Sequence, residues 1–428
     1  MWLIDGKQTN DLEFVKNHFG LKYLPMVRSL CDQDLYKFTM LQVYVHQWSS
    51  DHATWDFKAR NVGEGTKHEK YTAEDREEIR KQIAAYCSLH FEKDELEWLS
   101  DPIKRPWIHH NFTEYLEDWV PHLEHFSIED DPKTGLAIHT AATQCKCSPY
   151  EIPVLEIAAE VYYRNHYDYD TMAKVFKEKT LEKIAEIKNG IYKPGIFSEF
   201  GARRRVSYEL QDWLVKTLKE NNVPGFIGTS NVHLARKYDL TAVGTMAHEF
   251  IMSVGQGHQY YNPAYSNWFA LDSWIKEYGT MNGIALTDTI GTDVFLRDFK
   301  KTFATVFSGV RHDSGDPYNW GDKIIAHYKS LGIDPMTKTL MFSDGLNLEK
   351  ATALNEYFKG KAKVAFGIGT DWSGPQNVEP LNIVCKVAIV NGLDVAKLSD
   401  APGKNMCRNP AAIEHLKNEI AWRMATNK

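Results

Sequence analysis

Short apolar runs that end in polar, charged or glycine residues mark the middle and the end of this chain. Four of these runs lie at 225–231, 284–289, 309–316 and 364–370. Each is typical of a buried strand that leads directly into a polar loop. In parallel β/α folds such strand ends and the following helix N-termini meet on one face, where backbone N–H groups suit anions. The pattern therefore predicts a parallel β/α enzyme with an anionic substrate.

Amphipathic helices alternate with these strands. Ile324, Tyr328 and Leu331 fall at i, i+4 and i+7 and form one apolar stripe. Residues at successive predicted strand ends are separated by 20, 40, 25, 31 and 25 positions; they are Gly228, His248, Asp288, Asp313, Asp344 and Gly369. A (β/α) barrel uses about 30 residues per repeat. The spacing thus favours a barrel over an all-β fold.

The two ends of the chain lack this alternation of strands and helices. The first 145 residues are rich in aromatic residues and contain charged helical runs such as 73–84, without a β/α rhythm. Near the other end, an apolar run at 380–390 precedes Asn391-Gly392 and a second short run at 395–398, which is typical of a hairpin. A hairpin does not continue a parallel barrel. We therefore assign 1–145 and 385–428 to one domain and 146–384 to the barrel.

Composition narrows the function classes. The chain has 428 residues, of which 43% are hydrophobic and 25% are charged. This composition is typical of a globular protein, and the length suffices for two or three domains. Its net charge of -7 argues against nonspecific nucleic-acid binding, so a phosphate site has to be local. The N-terminus is charged too early for a secretory signal, and no stretch of ~20 apolar residues is present. We expect a cytoplasmic protein without nucleic-acid or membrane partners.

The six cysteines do not form the paired spacings of a zinc ribbon or a disulfide scaffold, so reduced thiols are expected. Cys145 and Cys147 could hold a metal ion as a C-x-C pair. We interpret them instead as two strand residues that face the same way.

Two glycine-containing strand ends are candidates for a phosphate site. Gly367, Gly369 and Thr370 follow one buried strand, where backbone N–H groups and a hydroxyl could bind a phosphate. A G-x-G after a strand is as often a simple tight turn. Asp344 and Gly345 end a neighbouring strand about one repeat earlier. Together the two turns favour a phosphate cradle.

Charged side chains concentrate in two further motifs. The 203–205 arginine triplet is the densest basic cluster; it is either a solvated charge run or a source of one inward-pointing guanidinium. The 311–316 loop combines Arg311, Asp313 and Asp316 with a glycine. Such a loop could bind an anionic ring substituent, sugar hydroxyls or hydrated Mg²⁺. A helix-capping turn is the alternative.

His248 is one of seventeen histidines, and a lone histidine usually has a structural role. Its position is more informative than its residue type. It follows Gly228 by 20 residues, where the next strand end is due, and Thr245 precedes it in the same loop.

In their order and spacing these motifs resemble nicotinate phosphoribosyltransferase, a type II phosphoribosyltransferase of NAD salvage. The resemblance covers most of the chain, through 32–40, 200–205, 228–231, 244–248, 311–316, 342–345 and 366–370. It implies an irregular, incomplete (β/α) barrel and an N-terminal α/β domain completed by the C-terminal segment. It also implies a homodimer with active sites shared between subunits.

The implied reaction is ATP-dependent and ligase-type. Nicotinate attacks C1′ of 5-phosphoribosyl 1-diphosphate (PRPP) to give nicotinate mononucleotide and diphosphate, with Mg²⁺ and coupled ATP hydrolysis. Release of diphosphate separates charge, so such an enzyme needs Mg²⁺ and oriented donors more than a strong acid or base.

The resemblance also implies residue roles. Tyr36, arriving from the partner subunit, and Phe200 look like the aromatic pair that sandwiches the pyridine ring. The other expected nicotinate-binding residues are Ser230, Thr245 and Arg311. The expected PRPP-binding residues are Arg203, Asp344, Gly345, Gly367, Gly369 and Thr370. Asp313 matches the ribose-side carboxylate, Asp288 the one near Mg²⁺ and the catalytic histidine, and His248 the histidine that ATP phosphorylates.

Three alternatives stay open. The related nicotinamide enzyme carries an aspartate at the position of Ser230, where it would accept an amide N–H but repel a carboxylate. Quinolinate phosphoribosyltransferase is disfavoured, because its decarboxylation would require more basic residues than the sequence allows us to place at the site. A noncatalytic barrel that senses PRPP would keep the glycine turns but could dispense with His248 and Arg311.

Overall fold

The computed structural model describes residues 1–401 and 405–426. In chain order its strands are β1 (Trp2–Ile4), β2 (Lys7–Thr9), β3 (His52–Ala59), β4 (Phe126–Glu129), β5 (Ala137–Thr143), β6 (Phe197–Glu199), β7 (Phe226–Thr229), β8 (Thr241–Ala242), β9 (Ile284–Leu286), β10 (Gly309–His312), β11 (Thr339–Phe342), β12 (Lys363–Ile368), β13 (Ile383–Val390) and β14 (Leu393–Asp394).

The helices lie between these strands in the chain, except for α18, which follows the last strand. They are α1 (Leu12–Phe19), α2 (Leu35–Gln47), α3 (Ala73–Tyr86), α4 (Lys93–Leu99), α5 (His110–Glu117), α6 (Gln144–Cys147), α7 (Glu151–His166), α8 (Tyr169–Lys188), α9 (Tyr208–Glu220), α10 (Val232–Lys237), α11 (His248–Gln256), α12 (Ser266–Tyr278), α13 (Thr292–Asp298), α14 (Lys301–Val306), α15 (Pro317–Ser330), α16 (Leu348–Phe358), α17 (Thr370–Ser373) and α18 (Pro410–Thr426). None of the helices in the described part of the chain is long and apolar enough to cross a membrane.

The larger sheet has seven strands in the order β8-β7-β6-β12-β11-β10-β9, and every neighbouring pair is parallel. β8 and β9 are its two edges, so in the described residues the sheet forms a half-barrel rather than a closed ring. The predicted α/β class and the incomplete barrel are confirmed. Because all seven strands are parallel, their carboxyl ends lie at one rim, and the candidate residues of the sequence follow them there.

The second large sheet is antiparallel, in the order β14-β13-β3-β5-β4. β13 pairs with β3 along its length, so the C-terminal segment returns to the N-terminal part as expected. The predicted hairpin turn is confirmed, since Asn391 and Gly392 have φ values of 49° and 80°, which suit a two-residue turn. The domain boundaries at 145, 146, 384 and 385 stay a prediction.

The second strand of that hairpin was predicted at 395–398 and is instead β14, Leu393–Asp394. The reason is that the backbone of 397–398 forms hydrogen bonds with other segments instead of with β13. The Lys397 N–H donates to the Met406 carbonyl at 2.8 Å, and the Leu398 N–H donates to the Thr289 carbonyl at 2.8 Å. The chain thus leaves the antiparallel sheet and runs along the rim of the half-barrel, which brings Lys397 to the candidate site.

Local sequence signals explain several helices. α3 contains the whole predicted run at 73–84, and it begins with a capping box between Thr72 and Asp75. In α15, Ile324 and Tyr328 are buried as the stripe predicts, while Leu331 lies just past the last helical residue.

The strand interpretation of the C-x-C pair is wrong. Cys145 and Cys147 belong to α6, because the chain turns after β5 where the Gln144 N–H donates to the Asp51 carbonyl at 2.7 Å. Both thiols are buried, and burial raises the pKa of each to about 12. They are therefore protonated at neutral pH and poorly suited to bind a metal ion.

Candidate active site

A cavity of about 420 Å³ lies at the carboxyl ends of the parallel strands. Its size is in the usual range for small-molecule sites. Twelve residues singled out in the sequence line it: Tyr36, Phe200, Arg203, Ser230, His248, Arg311, Asp313, Asp344, Gly345, Gly367, Gly369 and Thr370. The half-barrel thus brings together residues that are more than 300 positions apart in the chain.

His248 is the first residue of α11 and is only 7% exposed. Its Nε2 lies 2.9 Å from Oδ1 of Asp288, a buried residue just after β9. Burial alone would raise the pKa of Asp288, but His248, Lys397 and a hydrogen bond from Ser314 hold it well below its usual range. Because a carboxylate can only accept, Nε2 of a neutral His248 carries the hydrogen and Nδ1 keeps its lone pair.

The protonation state of His248 is set by its surroundings. Burial and the positive charge of Lys397 lower its pKa, and they outweigh the opposing effects of Asp288 and Asp313. Asp313 is the second carboxylate beside the ring, with Oδ2 3.6 Å from Nε2, and its Oδ1 accepts a hydrogen bond from Ser343 Oγ at 2.9 Å. The imidazole is therefore neutral around pH 7.

Lys397 is a site residue that the sequence did not reveal. It lines the cavity, and its Nζ lies 3.3 Å from Asp288 Oδ2. Its segment is fixed to the barrel rim partly because Ser399 Oγ donates to Ser314 Oγ at 2.8 Å. A lysine in a short apolar run carries no signal of this role, since its position depends on where the C-terminal segment packs.

Tyr36 and Phe200 both line the cavity of one chain. The expectation that Tyr36 arrives from a partner subunit is corrected by this arrangement. The Leu35 N–H donates to the Ser230 carbonyl at 2.8 Å, so the start of α2 is bound to the end of β7 in the same chain. Gly244 permits this approach, because a Cβ there would lie 3.0 Å from the Tyr36 nitrogen.

Phe200 also explains why Gly367 is a glycine. A Cβ at Gly367 would lie 2.4 Å from the Phe200 ring, and one at Gly369 would lie 2.8 Å from the Phe200 carbonyl oxygen. Both glycines line the cavity. The G-x-G is thus required at least as much for seating the aromatic ring as for a turn beside phosphate.

Ser230 lines the cavity, and its Oγ donates to Asp34 Oδ1 at 2.5 Å. Asp34 is a second lining residue that sequence reasoning missed, and burial raises its pKa. Thr245 is placed differently. Its hydroxyl donates to the Ile284 carbonyl at 2.9 Å and it is absent from the cavity lining, so this geometry does not reproduce the expected contact with nicotinate.

Arg311 extends from β10 into the cavity. Its Nη1 donates to the Met246 carbonyl at 3.0 Å, which fixes the guanidinium, while its buried Nε has no hydrogen-bond partner among the described residues. A buried donor without a partner is costly. An incoming carboxylate could accept from it and relieve that cost.

The arginine triplet divides into two roles. Arg205 is fully buried and pairs with Asp32 at 2.8 Å and Glu156 at 3.0 Å, so it is structural. Arg203 and Arg204 line the cavity instead. The triplet is therefore not a solvated charge run, and two of its members face the site rather than one.

Comparison with known proteins identifies the family to which this chain belongs. Residues 196–422 match the nicotinate phosphoribosyltransferase (NAPRTase) family, and residues 31–159 match the NAPRTase N-terminal domain. The chain belongs to the nicotinate phosphoribosyltransferase family. The resemblance seen in the sequence is confirmed.

Individual relatives of this family match over nearly the whole chain. The chain is 41% identical over 402 residues to a nicotinate phosphoribosyltransferase of Neisseria gonorrhoeae, covering 92% of this chain and 96% of that protein. It is 40% identical to one of Acinetobacter baylyi, covering 93% and 97%. The crystal structure of a nicotinate phosphoribosyltransferase from Vibrio cholerae superposes with a TM-score of 0.84 at 35% identity, covering 92% of this chain and 94% of that one.

The charge of the NAPRTase cavity differs from that of the whole chain. The chain carries a net charge of -7, yet the cavity contains several cations; they are Arg60, Arg203, Arg204, Arg311, Lys386 and Lys397. Arg60 and Lys386 are two more lining residues that the sequence analysis missed. Arg60 follows β3 and Lys386 lies in β13, so the antiparallel sheet supplies part of the wall.

His248, Asp288 and Asp313 also form a group that could hold a metal ion, since their ligand atoms all lie within 4.8 Å of one another. Both oxygens of Asp288 already have partners, which are His248 on Oδ1 and Ser314 at 2.6 Å on Oδ2. The nearby ammonium of Lys397 would also repel a cation.

Proposed function

We propose that this cavity is the active site of an ATP-dependent nicotinate phosphoribosyltransferase, which forms nicotinate mononucleotide and diphosphate from nicotinate and PRPP. This reaction is the first step of NAD salvage from nicotinate. The observation that carries the proposal is the convergence of the family motifs on one cationic cavity beside the His248–Asp288 pair.

Nicotinate would bind with its flat ring between Tyr36 and Phe200, where offset stacking holds an aromatic ring. Its carboxylate would accept hydrogen bonds from Arg311, whose Nε is buried and available. This placement directs the ring nitrogen toward C1′ of PRPP. The nitrogen lone pair forms the new N–C1′ bond, and the C1′–O bond breaks with its electron pair leaving on diphosphate.

PRPP would lie along the cationic part of the cavity. Arg203 and Thr370 offer a guanidinium and a hydroxyl to its phosphates, beside the turn at Gly345. Asp313 is in reach of the ribose hydroxyls. These donors stabilise the negative charge that develops on the leaving diphosphate.

Mg²⁺ fits the carboxylates that line this cavity, because it prefers oxygen ligands and retains water molecules. Asp313 and Asp344 are the residues that would hold it together with the substrate phosphates. When bound, the ion neutralises charge on the diphosphate. The metal role predicted for Asp288 is less favoured, because its oxygens already accept hydrogen bonds from His248 and Ser314.

ATP would act through His248. Nδ1 of the neutral ring attacks the γ-phosphorus, an N–P bond forms, and the P–O bond to ADP breaks. Asp288 holds the ring by accepting from Nε2 and stabilises the positive charge that the ring gains. The added phosphoryl group changes the charge of the cavity, and its later hydrolysis makes binding and turnover depend on ATP.

The family resemblance also supports a homodimer, which sedimentation velocity would measure directly. Both aromatic residues of the ring site come from one chain, so this dimer does not need to complete the stacking pair. We further propose a cytoplasmic location, where PRPP and ATP are made and used.

Nicotinamide is the closest alternative substrate. Asp34, the hydrogen-bond partner of Ser230, is the carboxylate that could accept an amide N–H in this part of the cavity. Arg311 favours the acid over the amide, because only a carboxylate offers it two charged acceptors. A noncatalytic PRPP sensor would have no need of the buried His248–Asp288 pair.

The test is chromatographic detection of the nucleotide product. Purified protein, PRPP and Mg²⁺ are incubated with nicotinate or with nicotinamide, each with and without ATP. We expect nicotinate mononucleotide from nicotinate, formed faster with ATP. Product from nicotinamide alone would reverse the substrate assignment, and no product from either would leave the sensor as the better account.

A further inference from the structure

A second cluster of side chains that could hold a metal ion lies outside the cavity. His46 is in the last turn of α2, His109 immediately precedes α5, and Glu277 is in the last turn of α12. His46 Nδ1 lies 2.7 Å and His109 Nδ1 3.3 Å from the same carboxylate oxygen, Glu277 Oε1. The three ligand atoms lie within 4.8 Å of one another.

The geometry favours a metal ion over a simple hydrogen-bonded cluster. The two rings are nearly parallel, with centroids 5.8 Å apart and planes at 15°, and both present Nδ1 to one point. Gln42 Nε2 also donates to Glu277 Oε1, at 2.8 Å. One oxygen is thus crowded by three donor atoms. An ion between the two Nδ1 atoms and the carboxylate would replace two competing protons with bonds to one cation.

The surrounding amides hold these ligands in place. Gln42 is buried, and its Oε1 accepts from the His109 backbone N–H at 2.9 Å, so one side chain orients both His109 and Glu277. Gln47 Nε2 contacts the other carboxylate oxygen of Glu277 at 3.3 Å. Outer-sphere hydrogen bonds of this kind are typical around metal ligands.

We propose that His46, His109 and Glu277 bind one divalent transition-metal ion of the Zn²⁺ class, with the remaining coordination position open to water. Two imidazoles and a carboxylate are a ligand set that suits Zn²⁺. The His109 side chain is 38% exposed, so an ion can enter from solvent.

The position of this site gives it a structural consequence. The ion would join α2 to α5 and α12. Tyr36, which lines the cavity, is in the first turn of α2, about 15 Å from His46 at the rise of an α-helix. The site would therefore brace the helix that presents Tyr36, without touching the substrates.

The experiment uses full-length, untagged protein after treatment with a chelator. Co²⁺ is titrated as a probe, and its visible absorption bands report binding. We expect one equivalent bound by these residues, with affinity at least tenfold weaker in His109→Ala and in Glu277→Gln. His110→Ala is the matched control, because this neighbouring histidine is exposed and outside the cluster; it should bind Co²⁺ as the native protein does.

His248→Ala separates this site from the active site. Loss of Co²⁺ binding in His248→Ala with unchanged binding in His109→Ala would place the ion at the cavity and overturn the proposal. Equal binding in the native protein and in both cluster variants would also overturn it, as would no binding at all. Circular dichroism of each variant confirms that weaker binding does not reflect unfolding, and Zn²⁺ should raise the melting temperature of the native protein but not of His109→Ala.

Discussion

His248 Nε2 and Asp288 Oδ1 lie 2.9 Å apart in a buried part of the active-site rim. The carboxylate fixes which nitrogen of the neutral ring carries the hydrogen, and so leaves the lone pair on Nδ1. Lys397 contacts the other oxygen of Asp288 at 3.3 Å. His248 therefore forms one unit with the carboxylate that orients its ring and a cation that lowers its pKa. The half-barrel and the C-terminal segment both contribute to this unit.

Lys397→Met should shift the acid side of the pH profile. If neutral His248 is the phosphate acceptor, ATP-stimulated turnover should fall as pH drops through the His248 pKa, which burial and Lys397 lower from its usual value. Removing the positive charge of Lys397 makes the imidazolium easier to form and raises this pKa. The acid limb, measured as ATP-stimulated turnover between pH 5 and 8, should then move to higher pH.

Lys386→Met is the control for this shift, because Lys386 is another cavity cation that pairs with Glu151 at 2.9 Å rather than with Asp288. Its acid limb should match that of the native enzyme. An unmoved limb in Lys397→Met, or the same movement in both variants, would show that Lys397 does not tune His248.

Ser230→Asp should weaken the use of nicotinate by well over tenfold, which is more than ~1.4 kcal/mol. A second carboxylate would be placed beside Asp34 and would repel the carboxylate of the substrate. The measurement is kcat/KM for nicotinate and for nicotinamide. Ser230→Ala, which removes the hydroxyl without adding charge, should retain the preference for nicotinate; equal nicotinate use by Ser230→Asp would refute the specificity argument.

Replacement by methionine should reduce stability at Arg205 and substrate binding at Arg203. Arg205→Met leaves Asp32 and Glu156 buried without their cation, and should reduce the free energy of unfolding by about 3–5 kcal/mol. Arg203→Met should change it by less than about 0.5 kcal/mol but raise KM for PRPP. Urea unfolding and steady-state kinetics test both. A stable Arg205→Met or an unchanged PRPP KM in Arg203→Met would contradict the assignment.

Gly367→Ala should displace the Phe200 ring, because the new Cβ would lie 2.4 Å from it. We expect KM for nicotinate to rise about tenfold, or ~1.4 kcal/mol. In a Phe200→Ala background, Gly367→Ala should change KM for nicotinate only slightly, because the ring that the new Cβ would contact is absent. A double-mutant cycle measures this coupling; additive effects would mean that Gly367 acts on the phosphate turn and not through Phe200.

Much of the half-barrel could be predicted from the sequence, because its signals are local. Each buried strand leads into polar residues that a parallel sheet must collect at one rim, so Asp288, Asp313 and Asp344 could be placed before their contacts were known. The hairpin turn at Asn391 and Gly392 was equally local, since both positions require positive φ.

The remaining site residues depend on long-range packing, which leaves no local signal. Arg60 follows β3 and Lys386 lies in β13, so both face the cavity only because the antiparallel sheet packs against the half-barrel. Lys397 arrives because the C-terminal segment leaves its hairpin. Tyr36 was assigned to the wrong subunit for the same reason, since backbone bonds between Leu35 and the end of β7 cannot be read from either segment alone.

Phosphorylation of His248 is the most direct test of this account. The native enzyme is incubated with Mg²⁺ and ATP labelled in the γ-phosphate, and the label is mapped by peptide after alkaline quenching. We expect an acid-labile label on His248 that disappears when PRPP and nicotinate are added, and no label or ATP stimulation in His248→Ala, which should keep some ATP-independent activity. ATP stimulation that persists in His248→Ala, or that occurs in the native enzyme without any labelled histidine, would contradict the account.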